Sequence, residues 1–147
     1  DFMATAAEVV GYKLPENAAE DSFSLLPILL GKEYVSPLHP SGIVNHSIDG
    51  SFAIRNGHWK LAFCSGSGGW SDPKNAAASK QGMPPVQLYD LSVDPKEQNN
   101  VYDGHPEIVD RMSAQLKTIV TEGRSTSGGV QKNTQDWWPQ LPWDKPE

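Results

Sequence analysis

The sequence predicts a small α+β domain, in which an antiparallel sheet of about four strands packs against one C-terminal helix. Two dipeptides, Asp49-Gly50 and Asn56-Gly57, separate short segments of alternating apolar residues. Such dipeptides favour the type I′ turns that join hairpin strands. One long segment, residues 106–122, carries apolar side chains at helical spacing. Hydrophobic residues are only 37 % of the chain, with 13 Gly and 12 Pro, a composition that disfavours a helical bundle.

The predicted strands alternate between apolar and other residues, as a sheet with one buried face requires. They cover residues 43–48, 51–55, 58–63 and 86–91. The long helix has its apolar residues on one side, with Pro106 in its first turn and Gly123 just after its end, both typical terminal signals. We therefore expect the apolar side of this helix to cover the apolar face of the sheet.

Two shorter helical segments precede the strands. Residues 2–10 are predicted as a helix with Asp1 as N-cap and Gly11 at its end. Pro27 is expected to begin a single helical turn within the apolar segment 24–31. Its leucines should bury against a body larger than the segment itself. A natural chain rarely opens on the N-cap of its first helix, so we expect a cleaved, truncated or partial polypeptide.

The remaining segments are predicted mostly as loops. Residues 65–85 are rich in Gly, Ser, Ala and Pro and are expected to form a long loop without structure of its own. Residues 94–97 are expected to form a helical turn, with Asp94 as N-cap and Glu97 as its third residue. The polar chain that follows Gly123 has no regular period, and we expect its tryptophans, Trp137, Trp138 and Trp143, to hold it on the surface of a larger body.

Charge and hydropathy exclude two classes of function. The net charge is −6 and no Lys/Arg cluster is present, whereas a nucleic-acid-binding protein needs a basic surface to neutralise phosphates. No apolar run reaches the roughly 20 residues that a membrane-spanning helix requires. Cys64 is the only cysteine, so it cannot form an internal disulfide, and we expect a small buried apolar side chain.

Five phrases occur in an order that resembles the C-terminal part of the sulfatase family, in the alkaline-phosphatase-like superfamily. They are DFMAT followed by Val10-Gly11, then DSFSLLPILLG, FAIRNGHWKL, LYDLSVDPKEQNN and GRST. Ser22 departs from the family pattern, which usually has glycine there. The resemblance implies that residues 1–42 are the tail end of a larger N-terminal α/β domain. It also implies that residues 43–123 form the sheet-and-helix subdomain and that residues 124–147 form an extended tail.

The chemistry that the resemblance implies is sulfate-ester hydrolysis by a formylglycine hydrate, assisted by a divalent cation, usually calcium. The formylglycine arises from Cys or Ser in a C/S-x-P-x-R motif. Cys64 is followed by Ser-Gly-Ser, and residues 71–75 (SDPKN) end in Asn where the motif has Arg. No tight acidic cluster offers the roughly six oxygen ligands of a hard cation. We predict no catalytic residue and no cofactor in this chain, with calcium and formylglycine in the full-length parent.

His46 is the candidate substrate-binding residue, because it lies near the end of a predicted strand, beside the Asp49-Gly50 turn. The alternative is a hydrogen-bonded structural histidine. Arg55 and Lys60 are predicted to be structural, each linking the sheet to a neighbouring loop by a charge-assisted hydrogen bond.

Four further residues are assigned to structure or solvent. His39, His58 and His105 are predicted to be solvated, and their spacing fits no zinc site. Trp70 is expected to anchor the glycine-rich loop, and stacking on a sugar ring is the alternative.

These observations lead to one main hypothesis of function and two alternatives. The main hypothesis is the C-terminal subdomain of a sulfatase that supports the active site of an exported parent, in contact with its N-terminal catalytic domain. The substrate of the parent would be a sulfated carbohydrate or another sulfate ester. The alternatives are a non-catalytic carbohydrate-binding or interaction module, and a degenerate or split member whose partner chain supplies the nucleophile.

Overall fold

The computed structural model describes residues 1–33, 38–135 and 137–143, and these form a four-stranded antiparallel sheet with four α-helices. The strands follow one another in the sheet in chain order, which confirms the predicted α+β class. They are β1 (Ile43–His46), β2 (Phe52–Asn56), β3 (Trp59–Ala62) and β4 (Gln87–Asp90). The helices are α1 (Phe2–Val9), α2 (Leu26–Leu29), α3 (Asn75–Lys80) and α4 (Pro106–Glu122), and a 3-10 turn spans Tyr102–Gly104.

The core lies between one face of the sheet and α4. Ile54 pairs with Leu61, and Leu61 pairs with Leu88, so these side chains lie side by side on one face, and all three are completely buried. Met112 and Leu116 of α4 pack onto them and are also completely buried. Burial of each such side chain stabilises the fold by about 1.5–3 kcal/mol. The predicted covering of the sheet by the long helix is therefore confirmed.

Gly123 ends α4 in the left-handed conformation, with φ of 64°. A Cβ atom there would lie 2.2 Å from the carbonyl oxygen of Gln131, so only glycine fits this position without a shift of the chain. The chain reverses at this point, and the Gln131 N–H donates to Glu122 O at 2.8 Å. Asn133 Nδ2 then donates to Val120 O at 2.6 Å. The tail thus begins by running back along α4.

The tail after Gln131 also contributes to the core. Leu141 is completely buried, and Trp138 and Trp143 pack against the core cluster. The Trp143 ring lies edge-on to Phe63, with centroids 5.1 Å apart. Trp137 remains 40 % exposed. The prediction placed these tryptophans on the surface of a larger body, whereas Trp138 and Trp143 pack against the core of this domain. Residues 34–37, 136 and 144–147 of the predicted segments 1–42 and 124–147 lie outside the described residues.

The prediction that residues 65–85 lack structure of their own was wrong, because they contain α3. The sequence Asn75-Ala76-Ala77-Ala78-Ser79-Lys80 includes three alanines, the strongest helix formers. Ala78 is completely buried and fixes the helix against the domain. The Gly and Ser residues around this short helix give the segment as a whole the composition of a loop, so its composition did not predict the helix.

Residues 94–97 form a turn, in which the Glu97 N–H donates to Asp94 O at 3.1 Å, but the predicted helical conformation and caps are absent. The Asp94 carboxylate accepts hydrogen bonds from the N–H groups of Gln98 and Asn99, both at 2.8 Å, rather than capping residues 96 and 97. Glu97 has a positive φ of 55°, which a helix excludes. Its carboxylate forms an ion pair with Lys60 of the sheet, instead of the capping-box hydrogen bond to the backbone of Asp94.

The N-terminal segment leaves apolar side chains in solvent. We call Phe2, Val10, Leu29 and Leu30 the N-terminal apolar patch; their exposed fractions are 86, 76, 69 and 62 %. Asp1 precedes α1 as predicted but makes no side-chain capping bond to the helix. In the part of the chain that the structure describes, no helix is long and apolar enough to cross a bilayer.

Candidate functional site

A cleft of about 270 Å³ opens beside the edge strand β1, next to the C-terminal end of α4 and the tail. Its lining includes two histidines, His39 and His46, together with Arg124, Asn133 and Trp138. These side chains come from three separate parts of the sequence. Of them, sequence reasoning selected only His46 as a site residue.

His46 is the last residue of β1 and pairs with Phe52 across the sheet. Its imidazole lies against the Phe52 ring at 3.9 Å between centroids and against the Trp138 ring at 5.7 Å. The residue is exposed on its remaining side, and it makes no hydrogen bond to any residue that the structure describes. Burial lowers the pKa of His46 from its ordinary value. This shift favours the uncharged ring, in which one nitrogen is a donor and the other an acceptor.

His39 was predicted to be solvated, and that prediction was wrong. Its Nε2 lies 2.7 Å from Asp1 Oδ2, and its side chain is only 12 % exposed. The Phe23 ring lies edge-on to the imidazole at 4.6 Å, and the Phe23 N–H donates to Asp1 Oδ1 at 2.9 Å. Asp1 therefore joins α1 to the segment before β1 instead of capping its helix. No spacing rule reveals this contact, because 38 positions separate the two residues.

Arg124 is the structural centre of one wall of the cleft. The residue is 6 % exposed, and its Nη1 donates to Glu16 O at 3.2 Å and to Gly129 O at 3.1 Å. Nε donates to Thr126 O at 3.0 Å, and Nη2 donates to Thr126 Oγ1 at 2.9 Å. The guanidinium thus binds the N-terminal segment to the chain after α4. Within the described ranges it pairs with no carboxylate.

The two cations of the β2–β3 hairpin behave differently. Lys60 Nζ lies 2.6 and 2.8 Å from the two carboxylate oxygens of Glu97, which confirms the predicted link from the sheet to a neighbouring loop. Arg55 Nε donates to Gly57 O at 3.3 Å, within its own hairpin. Its predicted charge-assisted link therefore reaches only the turn of that hairpin.

Cys64 and Asn75 belong to the two segments that were compared with the formylglycine motif, and both make hydrogen bonds within the domain. Cys64, predicted as a small buried side chain, is partly buried. Its thiol donates to Gly66 O at 3.3 Å, and burial raises its pKa. Asn75, in the place of the motif arginine, donates from Nδ2 to Asp49 Oδ2 at 2.6 Å and accepts at Oδ1 from the Gly66 N–H at 2.9 Å. Among the described residues, no group of three or more His, Cys, Asp or Glu side chains could hold a metal ion.

The glycine-rich loop presents Trp70 to solvent. The predicted anchoring role of this residue was wrong, because it is 85 % exposed. The loop is fixed by Lys74 instead, whose Nζ donates to Gly69 O and to Trp70 O, each at 2.6 Å.

His58 and His105 lie on either side of Trp59, away from the cleft. Their ring centroids are 5.3 and 5.2 Å from that of Trp59. His58 is exposed, as predicted, whereas His105 is only partly exposed.

Sequence comparison identifies proteins to which this chain is similar. No protein-family model matches the chain. An N-acetylgalactosamine-6-O-sulfatase of Bacteroides thetaiotaomicron is 37 % identical over 128 residues, covering 82 % of this chain and 23 % of that protein. Human arylsulfatase A is 32 % identical over 147 residues, covering 85 % of this chain and 28 % of that protein.

A structural comparison agrees. A solved structure from Bacteroides thetaiotaomicron, described as a 6S-sulf protein of glycosaminoglycan metabolism, superposes with a TM-score of 0.62 and 37 % identity. The match covers 81 % of this chain and 24 % of the other. The chain is homologous to the C-terminal part of sulfatases. This sulfatase region spans about a quarter of the length of the relatives that it matches, and the resemblance read from its five sequence phrases is confirmed.

Proposed function

We propose that this sulfatase region completes and supports the active site of a longer sulfuric ester hydrolase, with His46 as its contact to the substrate. The observation that carries the proposal is the His46 imidazole, which faces the cleft with no hydrogen bond to the described residues. We further propose that the calcium ion and the formylglycine nucleophile belong to the N-terminal part of the parent, which we expect to be exported.

The proposed substrate is a sulfated carbohydrate. The name of the bacterial relative, an N-acetylgalactosamine-6-O-sulfatase, supports this class of substrate. An uncharged imidazole suits such a ligand, because one ring nitrogen donates to a hydroxyl or sulfate oxygen while the other accepts from a hydroxyl. His46 would orient the sugar, and bond cleavage would take place on groups outside this chain.

Replacement of His46 by Ala in the sulfatase that carries this region is expected to lower kcat/KM about 3- to 10-fold, the value of one hydrogen bond. The loss should fall on KM, because a binding contact acts in both the ground state and the transition state. Initial rates on a sulfated monosaccharide and on an aryl sulfate are the measurement. His58→Ala, an exposed histidine outside the cleft, is the matched control. Equal kinetics for the two variants would contradict the role of His46.

The N-terminal apolar patch supports contact with an N-terminal catalytic domain. The homology covers the C-terminal part of proteins about four times longer, and exposed apolar side chains at two helices that contact each other are typical of an interaction surface. We propose that the preceding domain of the same polypeptide covers Phe2, Val10, Leu29 and Leu30.

Replacement of Leu29 by Asp is expected to destabilise the longer sulfatase, because a charge buried at a domain interface lacks a partner. In the 147-residue chain, where Leu29 is 69 % exposed, we expect the uncovered apolar patch to cause self-association, which the same change should reduce. Thermal unfolding of the parent and sedimentation velocity of the chain measure the two effects. Val93→Asp, at an 80 % exposed residue elsewhere, is the control. The same loss of parent stability for both variants would argue against the patch as a domain contact.

A carbohydrate-binding module is the second candidate function, favoured by the exposed indole of Trp70 on a loop that Lys74 holds in place. A fixed, solvent-facing aromatic ring is a suitable platform for a sugar ring. Calorimetry of the 147-residue chain with sulfated glycans separates the candidates. Binding heat without the parent would favour the module, and its absence would count against it.

A further inference from the structure

The orientation of the His46 ring depends on packing rather than on hydrogen bonds. A functional imidazole is ordinarily oriented by a hydrogen bond from one of its nitrogens to a carbonyl or carboxylate. None of the described residues makes such a bond to His46. Its neighbours are instead the Phe52 ring at 3.9 Å and the Trp138 ring at 5.7 Å, each tilted by more than 50° from the imidazole plane.

The two aromatic neighbours have different origins. Phe52 is 3 % exposed and belongs to β2, so the core fixes it independently of the cleft. Trp138 belongs to the tail and meets Phe52 edge-on, with centroids 5.3 Å apart and planes at 82°. The three rings form one cluster, in which only Trp138 comes from outside the sheet.

Contacts on either side of Trp138 hold the tail in this position. Upstream, Asn133 Nδ2 donates to Val120 O at 2.6 Å. Downstream, Leu141 is completely buried, and its N–H donates to Trp138 O at 3.0 Å. Gln140 lies against the β1–β2 turn, where a Cβ on Gly50 would come within 2.7 Å of its Nε2. The backbone at Trp138 is thus fixed between α4 and the sheet.

We propose that Trp138 is a positioning residue for His46: the tail places its indole against the imidazole and keeps both ring nitrogens available to a sugar hydroxyl or sulfate oxygen. The inference rests on the proposed function of His46. The inference gives a function to the tail, which has no regular secondary structure and is far from β1 in the sequence. The other ionisable groups that line the cleft are Asp21, His39 and Arg124.

The first test measures the environment of the His46 ring in the 147-residue chain. The His46 Cε1–H resonance is followed by NMR against pH in the wild type and in Trp138→Ala, Trp138→Phe and Trp137→Ala. Loss of the indole exposes the imidazole, so Trp138→Ala should raise the pKa of His46 toward its ordinary value and remove the ring-current shift of its protons. Trp138→Phe should retain most of the pKa displacement, and Trp137→Ala, at a 40 % exposed neighbour, should leave both quantities unchanged.

The second test reads function in the sulfatase that carries this region. Trp138→Ala is expected to lower kcat/KM roughly ten-fold, within the range that loss of an orienting neighbour causes at other sites, with Trp137→Ala at the wild-type value. An unchanged His46 pKa and chemical shift in Trp138→Ala would overturn the positioning role, whatever His46→Ala does to turnover. A changed pKa with unchanged kcat/KM would overturn the substrate role of His46 and the functional part of this inference with it. Unchanged resonances of the other three histidines establish that a variant is folded. If Trp138→Ala does not fold, Trp138→Phe is compared with the wild type instead.

Discussion

Replacement of Arg124 by Met is expected to lower the free energy of unfolding by about 3 kcal/mol, since hydrogen bonds to a charged group contribute about 1.5–3 kcal/mol each and water replaces some of them. The change removes the donors of Glu16 O, Thr126 O and Gly129 O. Met preserves most of the apolar stem, so the loss reports the guanidinium itself. The N-terminal segment should separate from the end of α4 before the sheet unfolds. Urea unfolding followed by tryptophan fluorescence and far-UV circular dichroism measures both effects.

Arg111→Met is the matched control for this prediction, because Arg111 is an exposed residue of α4, the helix that precedes Arg124, and a substitution at such a surface position changes stability by only about 0.5 kcal/mol. Arg124→Lys keeps the charge but lacks the planar fork that reaches several carbonyls at once. It should therefore lose most of what Arg124→Met loses. Equal midpoints for Arg124→Met and Arg111→Met would show that the buried guanidinium is not a structural link.

Local sequence rules predicted the sheet and its covering helix. The chain turns at Asp49-Gly50 and at Asn56-Gly57, which fixes the antiparallel order of β1, β2 and β3, but neither Asp49 nor Asn56 has the positive φ that the predicted type I′ turns require. Gly123 ends α4 at a position where a side chain would meet the returning tail. In each case the determining contacts lie within a few residues, so a local pattern contains enough information to predict the element.

The parts of the fold that sequence reasoning missed depend on distant contacts. Glu97 leaves the predicted capping box because Lys60, 37 positions away, binds its carboxylate. The short helix α3 is stable because Ala78 is buried against the domain, a condition that the composition of residues 65–85 does not express. Tertiary contacts of this kind override local preference.

The cleft was predictable only in part, for the same reason. His46 was selected because its place at the end of β1, beside a turn, follows from the strand pattern. His39 and Arg124 reach the same cleft through partners 38 and 108 positions away in the chain, Asp1 and Glu16. Periodicity carries no signal for such pairs, and a solvated loop histidine and a buried one have the same local sequence.

Replacement of Leu141 by Ala is expected to cost about 2–5 kcal/mol, the range for a fully buried leucine. Leu141 is completely buried although it lies in a segment without helix or strand. The loss should appear first as release of the tail, because the sheet and α4 retain their own contacts. Urea unfolding gives the total loss, and the rate of tryptic cleavage after the exposed Lys132 reports the release.

Val130→Ala removes a side chain of similar character from the same tail at a position that is 73 % exposed, and it should change neither the stability nor the cleavage rate. If Leu141→Ala behaves like Val130→Ala, the tail is not part of the core. If the tail is released, Trp138 leaves the His46 ring at the same time, because Leu141 lies only three residues beyond it and its N–H is bonded to Trp138 O. The buried side chain of Leu141 would then determine the orientation of the His46 ring, although it lies far from any reacting group. We therefore expect Leu141→Ala to shift the His46 resonance in the same direction as Trp138→Ala.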